Sequence, residues 1–507
     1  MKKSNLKLIN AILLTGLILA LIKIFDLSGG GIFPQLFSPS ALTVGPQCTI
    51  KTSGGQPEPY CGDLATLAGV NIREAQLQLI TDDLEFPWAF EFIDEQNILL
   101  TEFKGKIKIV GILNGSMVEI EGLPNIVSGE NQLGLLDVAL DPGFETNNLV
   151  YFSYTTKKDT EQDLYALAVV RAELVQNRLQ NLDEIFVALP FWHSTANFGG
   201  ALLFDSQGYL LIATGDRGAK NSAQNPKKLH GKIIRIDSAG RIPSSNPFYE
   251  DSTYNPAIYA LGVRNPQGLA MDPADGRIYE TEHGPMGGDE VNIVEAGENY
   301  GWPIISYGMD YDYREIGLGK QSVGFKQPIF YYLPSIATSP LAVYRGEMFS
   351  EWDGDLLVGA LRGQAVSKLD VLDGHVLSES KIIGEAGARV RDIKVASDGS
   401  IYVALEEGKL FRLFREQKDS TGIDVVDNRS GEEVYKFICS SCHSITSPGI
   451  PKLRSKSDWK ERVAKGKEQL YINAIQGLNG MPERGYCADC SDEEVKAAVD
   501  YMLSTVR

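Results

Sequence analysis

The decapeptide DSQGYLLIAT, Asp205–Thr214, sets an acidic residue and a glycine turn directly ahead of an apolar run. That is the pattern of a hairpin turn feeding a half-buried strand. Five further segments share it: DEQNILLTEF from Asp94, ETNNLVYFSY from Glu145, DPADGRIYET from Asp272, EWDGDLLVGA from Glu351 and SDGSIYVALE from Ser397. The intervals leave room for a four-stranded blade with loops of variable length. Six such units predict a mainly β chain folded as a six-bladed propeller over residues 76–417, in preference to a large β-sandwich or two smaller β domains. A propeller gathers its functional loops around one end of a central channel, so motifs distant in sequence are read together.

Downstream of the sixth unit the pattern changes period. EEVYKFICSSCH reads as a helix ending in a CxxCH motif, and YINAIQGL and SDEEVKAAVDYML read as amphipathic helices, the last with Ser491 as a plausible N-cap. The thiols of Cys439 and Cys442 suit thioethers to haem vinyl groups, and His443 is placed to ligate the iron. A redox CxxC or half a zinc site would need a thioredoxin-like context or further ligands, and neither is present nearby. Residues 431–507 are therefore expected to form a small all-α cytochrome c domain, joined by a polar hinge at 418–430, with Met481 as the second axial ligand. Cys487 and Cys490 lack a following histidine, which favours a local disulfide over a second haem.

Upstream, Lys2, Lys3 and Lys7 precede an apolar run from about Leu8 to Ile22, so residues 1–27 read as a signal peptide or, preferentially, an uncleaved membrane anchor. The domains would then lie on the periplasmic side, anchored to the inner membrane, where haem c is attached. Residues 28–75 read as a linker, with Cys48 and Cys61 expected to pair. The 507 residues are 43% hydrophobic and 22% charged, and 48 basic against 66 acidic residues give a net charge of −18. No basic block follows the N-terminus, which argues against a nucleic-acid partner.

The stretches ENQLGLLDVALDP from Glu130, FGGALLF, TGDRG, RNPQG, EHGP, GDEVN, NYGWP, LPSIA and RVRD, in this order, make the middle of the chain resemble the soluble quinoprotein aldose dehydrogenases over roughly Leu84 to Phe414. The resemblance implies pyrroloquinoline quinone (PQQ) with calcium, and oxidation of a sugar or related alcohol. Two arginines, Arg389 and Arg391, two apart in a strand, present both guanidinium groups to one side, which suits a ligand with several carboxylates. Arg362 adds a third charge where the family usually has lysine. By the same resemblance Arg264 and Asn265 face the reacting quinone carbonyl, Gln132 lies in the pocket, and the carbonyls of Gly284 and Pro285 hold the calcium at the cofactor. Glu290 and the carbonyl of Tyr300 match a second, structural calcium site.

Three substrate-side positions depart from that pattern. Asn197 stands where the family has the histidine that acts as general base, and asparagine cannot take a proton at neutral pH. Ala201 and Leu333 replace an arginine and a tryptophan on the same substrate side. His193 or His283 is expected to supply the base, or else the domain has lost turnover and acts as a ligand- or partner-binding module with a haem relay. The segment MPERGYCADCSDEEVKAAVDYM resembles short bacterial cytochromes c with an extra cysteine pair after the axial methionine. Joined, the two resemblances imply an exported quinohaemoprotein passing electrons to a respiratory cytochrome or oxidase.

Overall fold

The structure, a computed structural model, describes residues 75–506 apart from 125, 130, 161, 384–387, 416–428, 445–449, 479–480 and 488–489. The N-terminal segment, the Cys48 and Cys61 pair and most of the expected hinge lie outside the described residues. Among the described residues, no helix is long and apolar enough to cross a membrane.

Six four-stranded antiparallel sheets form the propeller. In chain order they are β2 (Pro87–Phe92) to β5 (Met117–Ile120), β6 (Leu135–Leu140) to β9 (Arg178–Val187), β10 (Gly199–Phe204) to β13 (Ile258–Leu261), β14 (Pro266–Met271) to β17 (Phe330–Tyr332), and β18 (Thr338–Val343) to β21 (His375–Ile383). The sixth blade is built from β22 (Val390–Val395), β23 (Ile401–Leu405) and β24 (Lys409–Arg415), with β1 (Ala75–Thr81) added from the start of the described chain. The last blade is thus closed by the first strand, which leaves no gap in the ring. The innermost strands β2, β6, β10, β14, β18 and β22 pack side by side around the axis, and β22 meets β2. Across that closure Asp392 Oδ2 accepts the amide of Phe90 at 2.8 Å, and Lys394 pairs with Glu91.

All six recurring segments prove to be the turn from an innermost strand into the second strand of its blade, together with that second strand. Second strands such as β11 (Leu210–Thr214) and β23 are buried along their whole length, because both faces of a blade pack on neighbours. The exception in composition is β15 (Ile278–Glu282, IYETE), equally buried yet carrying two glutamates. At the opposite end every innermost strand breaks register against its neighbour, between Pro87 and Ala89, Leu135 and Val138, Gly199 and Leu202, Pro266 and Gly268, Thr338 and Leu341, and Val390 and Asp392. Such bulges bend strands at rims and re-aim side chains.

The C-terminal region is helical. Gly431–Val434 runs through a π-helical turn, Tyr435–Cys439, into Ser440–His443, and is followed by Lys456–Val463, Lys467–Gln476 and Asp492–Ser504. Ser430 and Ser491 each form a capping box, with Glu433 and Glu494 respectively. Val434, Tyr435, Trp459, Leu470, Val495, Val499 and Met502 make the core.

Candidate active site and haem site

Of the residues singled out in the propeller sequence, Gln132, Asn197, Arg264, Asn265 and Arg389 lie in the approaches to the innermost strands, His283, Gly284, Pro285 and Arg362 just past the second strands, Arg391 in β22 and Glu290 in the third strand of its blade. On one wall Arg389 and Arg391 converge on a single carboxylate, Glu406, in the turn after β23. Arg389 reaches it at 2.8 Å with 42% of its side chain exposed, whereas Arg391 is 8% exposed and lies over the Trp88 ring at 4.2 Å. A second acid, Glu407, also acts on Arg391. Arg362 is exposed and enters no ion pair among the described residues.

Arg264 and Asn265 stand just before β14, and the charges of Arg264 and Arg391 both act on the His283 imidazole. The backbone amides of both donate to Glu282, and Arg264 Nη1 donates to the carbonyl of His283 at 2.8 Å. Asn265 Oδ1 accepts from the amide of Gly199, and its Nδ2 lies 3.4 Å from His283 Nδ1. Gly199 has φ 68°, and a Cβ there would stand 2.7 Å from the Ala213 carbonyl, so the close approach needs glycine. Burial pushes the His283 imidazole down to about 4, and its Nε2 is buried without a partner.

Asn197, in the left-handed region at φ 53°, stands two residues before β10. Its amide donates to Gln132 Oε1 at 2.7 Å, and its side-chain Nδ2 donates to Asp216 Oδ1 at 2.9 Å. Asp216 also accepts from Gly218 N and from Trp302 Nε1, tying TGDRG to NYGWP. Buried Arg217 holds the loop before Asn197 through the carbonyls of Tyr165, Ser194 and Ala196. His193, on that loop, is exposed and tilted against Trp192 at 4.9 Å.

Asp289 organises the EHGP turn. Its carboxylate accepts from Gly284 N, Ser335 Oγ and Ala337 N. The carbonyls of Gly284 and Pro285 accept no hydrogen bond among the described residues, so they are free to meet a hard cation. Glu290, opposite Glu282 across β15 and β16 (Asp289–Val294), shares one sheet face with Glu280 and Asn292. Burial first, then the Glu282 charge, drives Glu280 and Glu290 well above the usual carboxylate range. Glu280 Oε2 and Asn292 Oδ1 are buried with no hydrogen-bond partner. Among the described residues no group of three or more His, Cys, Asp or Glu side chains is arranged to hold a metal ion, so these carboxylates do not form a complete cation cage by themselves.

In the helical region Cys487 and Cys490 form a disulfide, and Cys439 directly precedes Ser440–His443, the turn that contains Cys442. His443 Nδ1 lies 2.7 Å from the Pro451 carbonyl. A carbonyl can only accept, so the proton sits on Nδ1 and Nε2 keeps its lone pair for a metal. Met481 packs against the helical core. These residues fit a covalently held haem.

Sequence reasoning identified the arginine wall and the asparagine but missed their partners. Asp216 lies inside TGDRG and Asp289 inside GDEVN, each a buried acid directly after a glycine. Glu406 and Trp88 gave none.

A cluster of charged and amide groups at the bulged end of a six-bladed propeller, followed by a helical module carrying a CxxCH motif, defines a propeller of the PQQ-dehydrogenase type fused to a small cytochrome-c-like domain. The chain belongs to the glucose/sorbosone dehydrogenase family, whose model matches residues 84–412. Residues 426–502 match the model for cytochrome c oxidase, cbb3-type, subunit III. The aldose sugar dehydrogenase YliI of Escherichia coli (strain K12) is 34% identical over 342 residues, 66% of this chain and 92% of that protein. Cytochrome c5 of Azotobacter vinelandii is 43% identical over 76 residues, 15% of this chain and 92% of that protein. A crystal structure of a glucose dehydrogenase superposes with a TM-score of 0.64 at 36% identity, covering 68% of this chain and 99% of the other.

Proposed function

We propose that the chain is an exported quinohaemoprotein that oxidises a sugar or related alcohol at PQQ and passes the electrons through its own haem c to a respiratory cytochrome or oxidase. The observation that carries this reading is the convergence of Arg389 and Arg391 on the carboxylate of Glu406, with Arg391 and Arg264 both acting on His283 at the same end of the propeller. Such a set of cations and amide donors suits a polyanionic ligand. Arg362 and Gln132 extend the same site. The carbonyls of Gly284 and Pro285 would hold a calcium ion there, and Glu290 with the carbonyl of Tyr300 a structural one. When bound, PQQ supplies a two-electron hydride acceptor and haem a one-electron carrier.

The chain's own groups do the rest. Arg264 places positive charge where negative charge develops, and the buried setting strengthens that interaction. His193 is the imidazole left to take the hydroxyl proton, since Asn197 is committed to Asp216 as a donor. Cys439 and Cys442 tether the haem, His443 and Met481 ligate it, and the hinge at 418–430 keeps it at high effective concentration near the propeller. An N-terminal anchor in the inner membrane would hold both domains on the periplasmic side.

That same Asn197 to Asp216 bond favours the second reading, a propeller that binds a ligand or partner without turnover. A panel of aldoses and simple alcohols, offered to the chain loaded with PQQ and calcium while the reduced-haem band is followed, separates the two. Haem reduction that requires both PQQ and one of the substrates supports the enzyme. PQQ binding with no haem reduction across the panel supports the binding module.

A further inference from the structure

We propose that the Lys232 ammonium is a built-in cation filling a cage of backbone carbonyls, and that it is a positioning residue for the contacts Asp216 makes with Trp302 and Asn197. The inference rests on the hydrogen bonds of the fold and not on the PQQ reading. Lys232 opens β12 (Lys232–Ile236), and its side chain is fully buried. Its Nζ donates to the carbonyls of Ser222 at 2.9 Å, Ala223 at 2.8 Å and His230 at 2.9 Å. An ammonium has three N–H bonds and no acceptor, so these carbonyls satisfy it completely. Burial, with the Lys228 charge acting the same way, pushes its pKa down to about 7, and no acid opposes them. Carbonyl dipoles therefore stand where a buried cation would ordinarily have a carboxylate.

All three carbonyls belong to the segment between β11 and β12, and both ends of that segment reach residues of the candidate site. Ser222 and Ala223 lie in the short helical turn Lys220–Gln224. Gln224, last in that turn, donates through Nε2 to Asn299 Oδ1 at 3.0 Å and to the Trp302 carbonyl at 2.8 Å, and accepts from Asn299 Nδ2 at 2.8 Å. Trp302 Nε1 in turn donates to Asp216 Oδ2 at 2.8 Å, and the other oxygen of Asp216 accepts from Asn197 Nδ2. At the far end His230 Nε2 lies 2.8 Å from the Pro190 carbonyl, which can only accept, so the ring donates to the loop that carries His193. The parts are pressed together at Gly231, where a Cβ would stand 2.6 Å from both the Ala223 Cβ and the Val263 carbonyl. A neutral side chain of the same shape as Lys232 would leave the three carbonyls facing an apolar group, which favours a different path for the segment.

The test uses the full chain with tryptophan indole nitrogens labelled with 15N, at about pH 6, below the Lys232 pKa, and assigns Trp302 from the spectrum of Trp302→Phe. The Trp302 N–H, bonded to a carboxylate, is expected to resonate at low field. Lys232→Met, which keeps the side-chain volume and removes the charge, is expected to move that signal upfield as the bond to Asp216 loosens. Lys232→Ala is expected to do the same. In that variant n-propylammonium, which replaces the atoms removed and brings three N–H donors, is expected to return the signal, and tetramethylammonium at the same ionic strength is not. A Trp302 signal unchanged in both variants would overturn the positioning role, even with a lowered melting temperature. Recovery with tetramethylammonium, or none with propylammonium, would overturn the cage as a cation site. Failure of both variants to fold, with propylammonium present or absent, would make Lys232 a folding residue only and overturn the proposal. PQQ enters none of these readouts, so a failure of the proposed function is distinguishable from a failure of this one.

Discussion

The two ends of the propeller are built on different physics. At one end four of the innermost strands turn into their neighbours through short loops capped by an acid, Asp94, Asp205, Asp272 or Asp398. Asp205 shows the type: its carboxylate accepts from the amides of Gln207 and Tyr209 and pairs with Arg235 at 2.7 Å, with both side chains almost fully buried. At the other end the strands bulge, the loops are long, and buried acids meet donors from other blades, as Asp216 meets Asn197 and Trp302. The difference teaches that regular hydrogen bonding holds the ring together while irregular backbone at the rim aims the chemistry.

The largest expected effect falls on the regular end. Asp205→Ala leaves Arg235 a buried unpaired charge and uncaps the turn, which is expected to cost about 3–5 kcal/mol of stability. Thermal unfolding should register it, while the half-saturating PQQ concentration below the melting transition stays unchanged. A change in PQQ affinity as large as the stability loss would break the division between the ends.

Arg391→Ala tests the other end. Truncating a buried, paired guanidinium is expected to cost about 2–3 kcal/mol of ligand binding, roughly a factor of 10^2 in the half-saturating PQQ concentration. Arg362→Ala, at an exposed side chain, should cost far less. Equal losses would mean that burial does not set the strength of this wall.

Asn197→His puts an imidazole against the Asp216 carboxylate, which now accepts from the Asn197 amide at 2.9 Å. Such a base is expected to raise turnover on a sugar substrate by about 10^2. No gain, with PQQ binding intact, would place the block elsewhere, at Ala201 or Leu333.

The smallest effect is a pH slope. Asp392, whose carboxylate borders an axial cavity of about 40 Å3 also lined by Asp137, Gln267 and Lys394, is pushed by burial up to about 7. Asp137 rises to about 6 for the same reason, and Lys394 and Glu91 face the pair. The folded state therefore holds these protons more tightly than the unfolded chain, so the stability they contribute is full below pH 4 and is lost as pH rises to about 7. Asp392→Asn should flatten part of that decline in melting temperature between pH 4 and 7.

Much of this was legible because the regular end repeats. Six acid-plus-turn segments specify six blades, since each answers to local hydrogen bonding that any tight turn between two buried strands requires. At the rim only side chains whose chemistry is unusual by itself could be picked out: two arginines in alternation, a glycine-proline turn, an asparagine where proton transfer needs a base. Their partners were hidden because Glu406 sits in an ordinary turn and Asp289 reaches Ser335 only through the fold. The cytochrome module was the most readable region, as CxxCH fixes its ligand geometry within five residues.

The central claim is that oxidation in the propeller delivers electrons to the haem of the same molecule. The direct measurement mixes the chain, loaded with PQQ and calcium, with a substrate aldose or alcohol and follows the reduced-haem band at several protein concentrations. The account predicts first-order haem reduction whose rate constant is independent of protein concentration and vanishes without PQQ. A rate proportional to protein concentration, or haem that stays oxidised while PQQ is reduced, would contradict it.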